Sequence, residues 1–180
     1  MELQTMPSRG LCLPTSFAMV FDVATRELLS ALDDNNYNQV VFPGLPEPFC
    51  WRGFHVQQFV RYAVSRGFAV TPIEVAPAVA PPPPYQRQYQ RVPIYQSTEA
   101  ATRSWSLFKE TIQTSRGVLT GYLSKDGGSP AGHAVAYEQG IVFDPRGRSF
   151  PYSPEECEAN DLYANAAWRV DKTETQNEPR

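Results

Sequence analysis

Residues 8–23 read SRGLCLPTSFAMVFDV, and the rest of the chain is best read outward from them. Cys12 stands just after Gly10 and Leu11, where helical periodicity begins. Phe17, Val20 and Phe21 recur at helical spacing, and Ala18 leaves room for a close neighbour. The pattern predicts a first helix over 12–22. Pro14 fits its first turn, where the missing N–H is no loss. A thiol at a helix start lies in the positive end of the backbone dipole, which favours the thiolate. Cys12 is therefore a candidate nucleophile; the plainer alternative is a buried structural thiol.

A thiolate is stabilised further by an imidazole. The chain has two histidines, His55 and His133. His133 lies in residues 132–147, GHAVAYEQGIVFDPRG, which read as strands over 133–137 and 141–144 around a short EQG turn. His133 opens the first strand and Asp144 ends the second, so antiparallel pairing sets them at one end of a sheet. His133 is the candidate general base and acid, and Asp144 the group that holds its tautomer. The Cys12 backbone N–H and the Gln4 side-chain amide are candidate oxyanion donors. Each has an ordinary alternative: a strand histidine bonded to backbone, a DPRG turn, a mobile terminal glutamine.

Elsewhere, helices are expected over 25–32 (Thr25 as N-cap), 55–67, 99–117 and 153–160. The last carries Ser153 as N-cap and Pro154 at its first position. Further strands are expected over 68–75, 117–123 and 166–170, and Pro72 suits an edge strand. Helices followed by a strand meander point to α+β, with N-terminal helices packed on a C-terminal antiparallel sheet. The expected organisation is one domain over 1–171 and a polar tail over 172–180. A Pro-rich excursion over 76–96 (APAVAPPPPYQRQYQRVPIYQ) interrupts the domain with polyproline character. It reads as a solvated surface segment, or as a docking segment for a partner over 81–95.

Composition narrows the function classes. With 180 residues, 42% hydrophobic and 19% charged, the chain suits one folded domain. A formal net charge of −3 gives no basic footprint for nucleic acid. No apolar run is long enough to span a bilayer, and MELQTMPSRG lacks the features of a signal peptide. Three cysteines, Cys12, Cys50 and Cys157, make a disulfide framework improbable and a reducing, cytoplasmic setting the expectation. Cys50 and His55 in CWRGFH lack a second ligand pair, so no metal is expected. No cofactor is expected either. Cys157 reads as structural.

The order of Gln, Cys at a helix start, His on a strand and Asp on the next strand resembles the papain-like cysteine peptidase fold. Residues 132–147 look like the GH-V…DP segment of bacteriocin-leader-processing peptidases. CLPTSFAM (12–19), PGLPEP (43–48) and RGF (52–54) are similar to segments of small papain-fold proteins encoded by bacteriophages and bacteria. The resemblance spans most of residues 4–170. It implies a thiol hydrolase acting on a peptide, isopeptide or amide bond of a protein or peptide substrate. Cys12 would be nucleophile, His133 base and acid, Asp144 the orienting residue and Gln4 the oxyanion glutamine. Water or another amine could be the acceptor. The alternative is a binding protein on the same scaffold, such as a phage-encoded modulator of a host protein, working in the host cytoplasm.

Overall fold

The computed structural model of the chain describes residues 1–8, 10–34, 56–74, 98–123 and 131–173. Residues 40–54 with Cys50, His55 and the whole of 76–96 lie outside the described residues.

The chain forms α1 (Cys12–Val20), α2 (Thr25–Asp34), α3 (Val56–Ser65), β1 (Phe68–Glu74), α4 (Thr98–Thr114), β2 (Arg116–Leu123), β3 (Ala131–Glu138), β4 (Ile141–Asp144), β5 (Arg148–Pro151), α5 (Pro154–Ala159) and β6 (Tyr163–Lys172). The six strands make one sheet in the order β1-β6-β2-β3-β4-β5, and every neighbouring pair is antiparallel. The fold is α+β, with helices leading and an antiparallel sheet largely in the C-terminal half. Among the described residues, no helix is long and apolar enough to cross a membrane.

Strand alternation divides the interior into two clusters, one on each side of the sheet. Ala134 and Ala136 of β3 share one cluster with Phe17, Met19 and Val20 of α1, Leu28 and Leu32 of α2, and Phe59 of α3. Val135 and Tyr137, on the opposite face, join Phe108 and Ile112 of α4 and Cys157 of α5. Helix α1 is enclosed from Pro14 to Val20, the pattern of a central helix rather than an amphipathic surface one. The alanines of β3 let it lie close to the sheet. Phe17 stacks on Phe59 with ring centroids 4.5 Å apart and planes 6° from parallel.

Several boundaries follow local chemistry. Ser153 has extended backbone and its Oγ accepts the Glu156 N–H at 3.1 Å, capping α5, with Pro154 in the first turn. Pro72 sits on β1, an edge strand of the sheet. Helix α4 stops at Thr114, short of the expected 117, because Gly117 belongs to β2. Strand β6 begins earlier than expected and runs to Lys172, so that residue is sheet rather than tail. Strand β5 was not expected at all: it has four residues, and only Phe150 of them is buried.

Gly117 is required by close approach. Strands β2 and β6 run so near each other there that a Cβ would meet the Trp168 carbonyl and the Tyr137 hydroxyl. Gly117→Ala should therefore destabilise the fold by about 1–3 kcal/mol, read as a lowered midpoint in urea unfolding. An unchanged midpoint would mean the sheet absorbs a methyl group at this point.

Candidate functional site

Strand β4 pairs with β3 only from Ala136↔Phe143 to Glu138↔Ile141. The first half of β3, including His133, Ala134 and Val135, therefore has no β4 neighbour. This notch is where the N-terminus of α1 arrives. By alternation His133 belongs with Val135 and Tyr137 on the α4/α5 side, whereas Cys12 opens a helix on the other side. They meet because the sheet has ended between them. On the opposite edge of β3, His133 pairs with Gly121, next to a register shift between β2 and β6 at Thr120/Gly121. Irregularities of this kind re-aim side chains at sheet ends.

Cys12 is half-buried and a free thiol. The His133 side chain and the backbone N–H groups of Ala134 and Leu13 are the groups near enough to act on its thiol. The Ala134 N–H contact lies in the notch left by β4. Leu11, the residue before the helix, supplies no side-chain cap, so the first-turn N–H groups are not taken by a capping oxygen. Ser16 Oγ donates to the Cys12 carbonyl at 2.8 Å and fixes the first turn.

His133 is 6% exposed and Asp144 is fully buried. Their side chains join through His133 Nε2 and Asp144 Oδ1 at 3.0 Å. With Nε2 on the carboxylate, Nδ1 is the ring nitrogen left for a partner other than Asp144. Asp144 Oδ1 also accepts the Arg146 backbone N–H at 2.8 Å, and its carbonyl accepts the Gly147 N–H at 2.9 Å. Gly147 takes a φ of +90° to close the turn. Asp144 thus both shapes the DPRG turn and binds the histidine; the two readings of this residue are not exclusive.

The electrostatics follow from these contacts. Burial opposes ionisation of Cys12, but His133 and the Ala134 and Leu13 N–H groups outweigh it, so the thiol is held below its ordinary value. Burial likewise opposes charge on His133, and the bonds to Asp144 and Cys12 overcome it, raising the imidazole above its ordinary value. Asp144 is desolvated too, yet His133 and Arg146 hold it far below the usual carboxylate range. A lowered thiol beside a raised imidazole favours the thiolate–imidazolium pair between the two titrations.

Neither a protein-family model nor a curated protein matches this chain.

The structure does not bring Gln4 to this site. Its backbone N–H lies on the Met19 sulfur, at the far end of α1. Seven residues of helix, about 10 Å, separate Met19 from Cys12. The amide is used at the start of α2: Oε1 accepts the Thr25 N–H and the Thr25 hydroxyl, each at 2.9 Å, and Nε2 donates to the Val23 carbonyl at 2.7 Å. The expected oxyanion donor is instead a cap delivered from outside the helix. Thr25, expected to be the N-cap, is its first residue and donates to Gln4.

One residue of the site escaped the sequence reading. Arg146 places Nε at 2.8 Å and Nη2 at 2.6 Å from Asp144 Oδ2. Its only sequence signal was a cation two residues after the candidate carboxylate, inside a segment that reads as a turn. Among the described residues, no cluster of three His, Cys, Asp or Glu side chains could hold a metal ion.

Two outcomes follow. Gln4→Ala should cost about 1 kcal/mol of stability through loss of the cap and leave the alkylation rate of Cys12 unchanged. A slowed Cys12 with intact stability would return Gln4 to the site. Cys157, whose thiol burial pushes up to about 11, should resist iodoacetamide at neutral pH while Cys12 reacts. Mass mapping across pH checks this, and equal rates at both thiols would rule out a stabilised thiolate at Cys12.

Proposed function

We propose that this chain is a papain-like thiol hydrolase that cleaves a peptide, isopeptide or amide bond through an acyl-enzyme on Cys12. The observation that carries the reading is the chain of contacts from the Cys12 sulfur through His133 to buried Asp144, with the thiol lowered and the imidazole raised.

In this mechanism the Cys12 thiolate attacks the acyl carbon and forms the S–C bond, and the carbonyl π electrons move onto oxygen. The Cys12 N–H, at the uncapped start of α1, faces that oxygen. Collapse of the intermediate breaks the C–N bond as His133 Nδ1 gives its proton to the departing amine. The neutral imidazole then takes a proton from water, whose hydroxide attacks the thioester. The S–C bond breaks, the carboxylic acid leaves and the thiolate–imidazolium pair is restored. Asp144 holds the ring throughout and forms no bond to substrate. An amine in place of water would make the same site a transamidase.

Cys12→Ala should abolish turnover while leaving the unfolding midpoint near wild type, since the thiol is only half-buried. Full turnover in a folded variant would defeat the assignment. The pH–rate profile should be bell-shaped. Its acid limb is thiolate formation, displaced below the ordinary thiol value. Its alkaline limb is loss of the His133 proton, displaced above the ordinary histidine value. Asp144→Asn, which keeps an acceptor for the ring, should retain more activity than Asp144→Ala and move the alkaline limb down. If both variants only lowered stability and left the profile in place, Asp144 would be a turn residue alone.

A further inference from the structure

The two oxygens of Asp144 have separate duties. Oδ1 faces His133 Nε2 at 3.0 Å and the Arg146 backbone N–H at 2.8 Å. Oδ2 receives the Arg146 guanidinium through Nε and Nη2. The same Nη2 donates to the Asn160 carbonyl at 2.7 Å, which fixes the guanidinium against the corner between α5 and β6. A guanidinium is charged at every working pH. Asp144 therefore has a permanent cationic partner on the oxygen opposite the histidine.

We infer that Arg146 is a positioning residue whose charge balances that of Asp144, so that His133 is oriented by a carboxylate yet titrates beside an ion pair of near-zero net charge. The inference rests on the catalytic reading of Cys12 and His133 and concerns how that reading works through a full cycle. His133 must alternate between imidazolium and imidazole. A lone buried carboxylate would hold the imidazolium tightly and oppose proton delivery to the amine. Once the ring was neutral, it would also stand as an uncompensated buried charge. With Arg146 in place, Asp144 keeps its partner in both halves of the cycle. The charged groups that bear on the ring come from three elements: Cys12 at the start of α1, Asp144 at the end of β4 and Arg146 in the turn after it.

The test is a set of charge variants in which His133 is titrated by NMR and Cys12 by alkylation across pH; neither needs turnover. Arg146→Gln leaves Asp144 unbalanced and should raise the His133 titration by about one pH unit, a tenfold change in its proton equilibrium. Asp144→Asn leaves Arg146 unbalanced and should lower it. The double variant, Asp144→Asn with Arg146→Gln, is again neutral and should return it close to wild type. The inference is overturned if folded Arg146→Gln leaves His133 where it was or lowers it, or if the double variant stays with Asp144→Asn. Should Arg146→Gln fail to fold, Arg146→Lys retains the charge and must keep the wild-type titration; a displaced one overturns the inference. The catalytic reading fails separately, by a wild-type Cys12 whose alkylation shows no coupling to His133, whatever the charge variants do.

Discussion

A fully buried carboxylate must be compensated, and the way Asp144 is compensated organises this end of the molecule. One oxygen binds the histidine that opens β3. The other takes a guanidinium tied to the corner after α5. Its backbone carbonyl closes the turn into β5. One side chain thus connects β3, the β4–β5 turn and the α5–β6 corner. The His133 ring carries the connection on to Cys12 and α1. Removing one partner from such a buried set typically costs about 3–5 kcal/mol.

The sheet provides the place for it. Helix α1 rests on the alanine face of β3, and its N-terminus reaches the stretch where β4 no longer pairs. Had β4 continued for two more residues, the Ala134 N–H would face a strand rather than a sulfur. The early end of β4 follows from its sequence: Pro145 has no N–H for a ladder and directs the chain into the turn that Asp144 caps. The residues that stop the strand are thus the same residues that position the histidine.

Much of this was legible in the sequence because it is local. The apolar period after Cys12, the short EQG turn between two strands, and the Ser153–Pro154 helix start each depend on a few adjacent residues. What was not legible depends on where distant segments pass each other. Gln4 lies eight residues before Cys12, but the chain carries it to the opposite end of α1, where it meets Val23 and Thr25. Arg146 reads as one more turn residue until the path of α5 sets the Asn160 carbonyl beside it. Strand β5 has too few inward residues to show a period. Gly117, placed at the junction of a helix and a strand, owes its position to the approach of β6, some fifty residues later in the chain.

On the proposed mechanism, Cys12 and His133 share a proton as a coupled pair. The most direct measurement is an NMR titration of His133 in the wild-type chain and in Cys12→Ala. The expected result is a wild-type His133 that titrates above its ordinary value, and a downward shift on Cys12→Ala, because the thiolate that stabilised the imidazolium is gone. An identical titration in both proteins would contradict it, and would leave Cys12 a thiol that lies beside the histidine without exchanging charge with it.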